Sequence, residues 1–394
     1  MNRPPRTFAP NPGGEWQVVL WDLLTVKNTA KVSQIRALAG AGLPPDGFIA
    51  AVLEALHGVI PSDRNLFDWT DGEGRLIRYY FEGSIDHAIA KHYFEEFHNQ
   101  RELEVMPSFK DTITGKASVM SAAQLDRPAF YESALYNEIW RPQRLNTRIE
   151  TIVRKPDGSP LGSLVLYRGP GDRKFTPTDE RLLGQIAPYM ARGLMADPVG
   201  LEHAPLATVP STQAYVCLDA QGQMTLLSAN AHRLLLLAHG DVTPDLAAQP
   251  PSVASFPVLA TLWRQWKGQG DAFRDCSLHV KNQWGQFVFE GCGLKASESP
   301  DGVRMHIAIS HRELDVVATR RAMASFELTH TQREVCLLLH AGFSQTRVGE
   351  HLGVSTATVV DHVRKIYTKL DVHSAIELVN LINSRKQSSA ERSH

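Results

Sequence analysis

The chain has 394 residues, with 41 Lys and Arg against 42 Asp and Glu, a formal net charge of −1. That length suits two or three domains with their own cores, and 43% hydrophobic with 21% charged residues is ordinarily globular and indicates no disordered class. Near-neutrality excludes nucleic-acid binding through global positive charge, so any such affinity has to be local, and no apolar run approaches the roughly 18–20 residues of a membrane span.

Residues 1–14 are rich in Pro, Gly and Asn, carry no apolar signal core and read as a flexible tail. Residues 16–24 form an apolar patch of undetermined type, and 32–39 read as helical. Pro44-Pro45-Asp46 starts a second helix, with Phe48, Ala51, Val52, Ala55 and Leu56 facing inward. Residues 65–69 and 76–81 alternate as two strands around the turn Asp71-Gly72-Glu73-Gly74. A helical region, 85–100, follows. A second hairpin is predicted from 149–153 and 161–168 around Pro156-Asp157-Gly158-Ser159. Thr176 then caps a strong helix with Pro177 at its first position and acids in its first turn. Pro188 is predicted to kink it.

This order of helix, hairpin, helical insertion, hairpin and long helix resembles a GAF domain, over residues 15–197. The most telling part is Gly162-Ser-Leu-Val-Leu-Tyr-Arg168, a Gly-Pro-Gly-Asp turn, and Phe175-Thr-Pro-Thr-Asp-Glu-Arg-Leu-Leu183. Residues 198–210 are Pro-rich and read as a linker. The strand from Tyr215, the turn Asp219-Ala-Gln-Gly-Gln223, a strand from Met224 and Ser228-Ala-Asn-Ala-His232 resemble the opening of a PAS domain, over 211–312. Residues 274–281, 286–294 and 303–310 supply its three remaining strands. Residues 313–324 read as a linker helix, with Leu314, Val317, Ala318 and Arg321 near one face.

The C-terminal segment carries the strongest pattern. Thr329-His330-Thr331-Gln332 fits a capping box, with Val335, Cys336, Leu338 and Leu339 as the core face behind it. Gln345 to Leu352 reads as a second helix, and Gly353-Val354-Ser355 as a tight turn. Ser355 caps a third helix whose Val359, Val363, Ile366, Tyr367 and Leu370 recur at spacings of three and four. Asp361, Arg364, Lys365 and Thr368 face the other way. That is a helix suited to a DNA major groove.

Leu328-Thr329, Gly342-Phe343-Ser344, Leu352-Gly353-Val354-Ser355-Thr356-Ala357-Thr358-Val359, His362-Val363 and Ile366-Tyr367-Thr368-Lys369-Leu370 together resemble the LuxR-type (GerE-like) four-helix DNA-binding domain, over 325–390. The resemblance implies that Thr358, His362, Arg364, Lys365 and Lys369 approach DNA and that the fourth helix helps to pair two domains. Thr329, Gln345, Thr346, Ser355, Thr356, Val360 and Asp361 complete the expected contact set. Four positions depart from the family pattern: Gln332 replaces Glu, Gly349 Ala, Val360 a cation, and Ala375 Arg. Val360 gives up a phosphate contact but can touch a thymine methyl.

No hydrolase elbow, Walker loop, H-E-x-x-H or dinucleotide fingerprint is present, so an enzyme is not expected. His87, His92 and His98 form a His-rich stretch, but His87 and His92 lie five apart, on different helix faces, and no Cys accompanies them, so ordinary surface histidines and no metal are expected there. No cofactor is expected either. The four cysteines form no C-x-x-C pair and read as reduced core residues. Arg141, Arg144 and Arg148, at three- and four-residue spacing, read as a solvated helix face or an anion site. The aromatics leave two readings open. They fill the core of a small sheet domain, or Trp69, Tyr80, Phe130, Tyr136 and Trp140 line a pocket for an apolar or aromatic effector.

The whole chain thus reads as multidomain α+β followed by an all-α four-helix domain. The expected function is that of a cytoplasmic, one-component transcription regulator without a membrane segment. It would bind double-stranded DNA as a homodimer, and contact RNA polymerase if it is an activator. The alternative is a regulator whose N-terminal half is a protein–protein docking module with no small ligand.

Overall fold

The structure, a computed structural model, describes residues 32, 35–36, 38–40, 43–196, 205–208, 210, 212–268, 275–295 and 303–392. The expected tail and the apolar patch at 16–24 lie outside the described residues. Helix α1 (Pro45–Val59) buries Phe48, Ala51, Val52, Ala55 and Leu56, the five residues its spacing selects. Strands β1 (Arg64–Thr70) and β2 (Leu76–Phe81) pair antiparallel, Leu66 opposite Phe81 and Phe67 opposite Tyr80. Helix α2 (His87–His92) continues into a π-helical turn, Tyr93–Phe97, and a second such turn spans Leu135–Trp140. Strands β3 (Val119–Met120), β4 (Thr147–Arg154) and β5 (Pro160–Arg168) complete a sheet of order β2-β1-β5-β4-β3. Two-residue β3 is too short for any periodicity to reveal it.

Helix α3 (Pro177–Leu194) has the expected cap: Thr176 Oγ1 accepts from Asp179 N (3.2 Å), and Thr176 N donates to Asp179 Oδ2 (3.0 Å). It runs on past Pro188, held on the sheet by buried Ile186 and Met190. Because side chains alternate along a strand, the first sheet has two different faces. Phe67, Ile149, Leu164 and Leu166 pack with α1 and α3 on one face. Tyr79, Phe81, Val165 and Tyr167 pack under the π-helical turns on the other.

The second sheet comprises β6 (Thr212–Leu218), β7 (Met224–Leu227), β8 (Cys276–Asn282), β9 (Gly285–Lys295) and β10 (Val303–Arg312), in the order β7-β6-β10-β9-β8. Counted within each unit, the two sheets share one strand order. Helices α4 (Ala231–His239), α5 (Pro244–Ala248) and α6 (Pro257–Gly268) cover its inner face, where Val216, Phe287, Phe289 and Ile307 are buried. Its outer face leaves Tyr215, Leu226 and Leu294 exposed.

The two units meet at an aromatic seam. Tyr80 stacks on Trp284 at 4.6 Å and Trp69 meets the same ring edge-on at 6.4 Å. Tyr79 N donates to Val242 O (3.0 Å), so the free edge of β2 is closed by the second unit. Arg78 pairs with Asp46 of α1 and with Asp241 of the second unit.

Helix α7 (Asp315–Ala324) falls within the 313–324 stretch that reads as a linker helix, and it packs against both of its neighbours. Leu206 bridges to Leu314, and Ala207 N donates to Glu313 O (2.9 Å). Leu314 and Val317 join the core of α1, whereas Met323 at its far end joins the core of the C-terminal helices. Those are α8 (His330–His340), α9 (Gln345–Leu352), α10 (Thr356–Leu370) and α11 (Ala375–Arg392). Val335, Cys336, Val348, Val359, Val363, Ile366, Leu378 and Ile382 make one small core among them.

Candidate nucleic-acid interface and an aromatic-walled cavity

The predicted caps position the third helix of the C-terminal unit. Gly353 ends α9 at φ 68°, the left-handed conformation that a glycine adopts without strain. Ser355 Oγ then accepts from Thr358 N (3.1 Å) and opens α10. Burial of Val359, Val363 and Ile366 turns the opposite stripe outward, so Thr356, Thr358, Val360, Arg364 and Lys365 are exposed together. Asp361 lies between the two cations, at 2.6 Å from Lys365 Nζ and 3.2 Å from Arg364 Nη2, and Lys365 holds its carboxyl below the usual range. Such exposed pairs are easily exchanged, so both cations are available to phosphate or base edges.

Not every expected contact joins this surface. Lys369 Nζ donates to Glu327 O (3.0 Å) and Gln332 Oε1 (3.3 Å), which ties α10 back to the start of α8. His362 is only half-exposed on the flank. Thr329 is exposed but serves as the cap of α8, its Oγ1 accepting from Gln332 N (3.4 Å). Gln345 and Thr346 lie at the start of α9, where Ser344 Oγ accepts from Arg347 N (3.4 Å). Exposed Arg347, stacked over Phe343 at 5.0 Å, belongs beside them. The Ser344 cap followed by a cation was the signal that could have found it.

The aromatic residues divide. Under the π-helical turns lies a cavity of ≈ 140 Å³, walled by Tyr79, Phe81, Tyr93, Phe94, Trp140 and Tyr167. Of the five expected lining residues, only Trp140 borders it. Trp69 and Tyr80 sit on the opposite face of β1 and β2, in the seam with Trp284, because a shift of one residue along a strand reverses the face. Phe130 is fully buried behind Trp140 at 5.0 Å between rings, and Tyr136 packs on Phe130 while its hydroxyl donates to Asn146 Oδ1 (3.0 Å). These two form a second layer rather than the wall.

Sequence reasoning missed the polar groups of this cavity. Asp68, Glu102, Arg148 and Glu150 all border it, as does His98. Asp68 is buried by more than nine-tenths, and burial, then the charge of Glu150, pushes its carboxyl up to about 8. Gly162 permits this arrangement, because a Cβ there would stand 1.9 Å from the Asp68 carbonyl oxygen. The alternation of β1, Leu66 and Asp68 against Phe67 and Trp69, is the signal that could have placed Asp68 inside.

The three histidines scatter: His87 meets His232 edge-on, His92 pairs with Glu138 (2.7 Å), and His98 contacts Tyr93 OH (3.4 Å). No group of three or more His, Cys, Asp or Glu among the described residues could hold a metal. Arg141, Arg144 and Arg148 do not share a helix face either, since the helical turn ends at Arg144 (φ 58°) and Arg148 lies on β4. Cys276 and Cys336 are buried as core residues, whereas Cys217 and Cys292 are half-exposed.

The C-terminal unit therefore has the architecture of a DNA-reading helix-turn-helix domain. Residues 327–382 match the family of bacterial regulatory proteins, luxR family (GerE), and this chain carries that family's DNA-binding domain. No curated protein matches the chain. Among solved structures it is similar to the VqmA–ligand–DNA complex of Vibrio cholerae, at 16% identity over 46% of this chain and 85% of that one, with a TM-score of 0.22. It is also similar to the DhaR(N)–DhaL complex of Escherichia coli, at 16% identity over 72% and 89%, with a TM-score of 0.24. At such scores neither likeness carries an argument about fold, ligand or partner. No described helix is long and apolar enough to cross a membrane.

Proposed function

We propose that this chain is a cytoplasmic, one-component transcription regulator that binds an operator as a homodimer and is controlled by a small effector in its first sheet unit. We read the two sheet units as GAF-like and PAS-like sensors. The carrying observation is the outward stripe Thr356, Thr358, Val360, Arg364 and Lys365 on a capped helix of a LuxR-family domain. Its α10 enters the major groove, and the starts of α8 and α9 meet phosphates through Thr329, Gln345, Thr346 and Arg347. Double-stranded DNA selected from a random library by the full-length chain should give a discrete motif in mobility-shift titrations. Retention of unrelated sequences with equal affinity would overturn the reading.

A specific observation also supports pairing through the sensor half. Tyr215, Leu226 and Leu294 are large apolar groups left exposed on the outer face of the second sheet, Tyr215 lying stacked on His306. Burying large apolar side chains of this kind against a second copy would remove them from water. Sedimentation of the wild type and of Leu226→Glu tests this: the variant should shift to monomer. If activation is the outcome, RNA polymerase is the second partner. The docking-module reading would prevail if native mass spectrometry found the pairing intact and no small molecule ever retained.

A further inference from the structure

We propose that the cavity under the first sheet binds a small organic cation, a single-ring aromatic amine, with its ammonium group on the Asp68 carboxylate. The proposal rests on the sensing role proposed above and specifies the chemistry of the effector.

Three observations lead to it. The first is size: ≈ 140 Å³ suits one aromatic ring with a short side chain. The second is the wall. Tyr79, Tyr93, Phe94, Trp140 and Tyr167 present ring surfaces, which attract cations through their quadrupoles. The cavity already holds one cation in this way, the Arg148 guanidinium lying 5.7 Å from the Trp140 ring centroid.

The third is an accounting of the acids. Glu102 is committed to its own loops, accepting from Tyr93 OH (3.1 Å), Asn99 N (2.8 Å) and Phe109 N (2.8 Å). Glu150 is paired with Arg148 at 3.1 Å. Asp86 caps α2. Asp68 receives a side-chain hydrogen bond from Ser163 Oγ (3.2 Å) and makes no ion pair among the described residues, Arg148 being paired with Glu150 and acting on Asp68 only through its field. A carboxyl so placed raises the energy of its own ionised form, and a bound ammonium would relieve that while its ring fills the aromatic wall. An anionic ligand would instead face Asp68, Glu102 and Glu150 together. The walls also contain two π-helical turns, Tyr93–Phe97 and Leu135–Trp140, an uncommon backbone that is frequent at functional sites.

The test uses the full chain and three probes of like shape: phenethylamine, 2-phenylethanol and 3-phenylpropionate, in calorimetric titrations at pH 7.5. The amine should bind at least about tenfold more tightly than the alcohol, by the usual differential of a charge-assisted contact. The propionate should bind more weakly than either. Asp68→Asn should remove the advantage of the amine and leave the alcohol unchanged. Should that variant fail to fold, Ile139→Trp, which fills the cavity but keeps Asp68, should abolish amine binding. Equal affinity of amine and alcohol, an undiminished amine in either folded variant, or no binding of any probe would each overturn the proposal. Mobility shifts on the same samples separate the two claims. DNA binding with no amine binding removes the ligand proposal alone, whereas absent DNA binding removes the regulator reading.

Discussion

Arg364 and Lys365 stand far out on α10, with side chains 79% and 58% exposed, each paired with Asp361. Replacing both by Ala should leave the fold intact by circular dichroism and remove specific DNA binding, at about 1–3 kcal/mol per lost contact. Unchanged affinity would place readout elsewhere. Val360→Lys should raise affinity for all sequences and steepen the salt slope by about one ion.

Two titratable groups, half-buried His57 and buried Asp68, both give a stability that falls as pH rises. Burial works against the charged His57 ring, but the hydrogen bond and charge of Glu82 (3.0 Å) outweigh it and hold the ring up at about 9. An unfolded histidine titrates near 6.5. The His57 contribution is therefore fully present below about pH 6.5 and lost as pH rises through about 9. Melts of His57→Gln should show a shallower fall over that window. Asp68, pushed up to about 8, keeps a proton that the unfolded chain releases near 3.8. Its contribution falls as pH rises through that range. Ligand-free Asp68→Asn should thus melt several degrees higher than wild type at pH 8, by roughly 1–3 kcal/mol. A lower melting temperature would show that Asp68 is structural.

At the scale of elements, α7 is the joint. Arg321 forks onto Glu313 (2.6 and 2.9 Å) and reaches Glu54 of α1 (3.0 Å), while Arg320 pairs with Glu334 of α8 at 3.1 Å. Lys386 of α11 adds a bond to Asp315 (2.8 Å). One helix thus holds the first sheet unit through one arginine and the C-terminal helices through the one before it. The Arg320–Glu334 pair is buried, both side chains being under 10% exposed. Arg320→Ala should cost about 3–5 kcal/mol, since it leaves Glu334 buried without its partner, and a joint change to Met and Leu should restore most of that. Urea midpoints followed in the C-terminal unit would decide it. Equal losses in both variants would mean that packing, not charge, holds the joint.

At the scale of the molecule, the proposed pairing through the N-terminal half would supply a second half-site contact that one C-terminal unit lacks by itself. The four C-terminal helices carry mixed charge, and a single such unit has few phosphate contacts to offer. A fragment starting at Met323 should bind DNA far more weakly than the full chain, and the gap should narrow when the fragment is fused to a dimeric carrier. Equal affinities would place all pairing within the helix-turn-helix.

The sequence by itself determined whatever depends on near neighbours along the chain. The Thr329–Gln332 and Thr176–Asp179 caps, the turn at Gly353, the apolar stripe of α10 and the two hairpins of the first sheet follow from local spacing, and the structure has each of them. Only the tertiary structure decided which groups meet at long range. Alternation shows that Tyr79 and Tyr80 point opposite ways, but not which side holds a cavity and which holds Trp284. That depends on where the insertion and the second unit pack. Exposed Lys369 is a cation of α10 by its spacing, but that it reaches the Glu327 carbonyl is decided only across the fold. Asp68 reads as one acid in a strand until β4 and β5 bury it beside Glu150, since a charge acquires its cost only from the medium that closes around it.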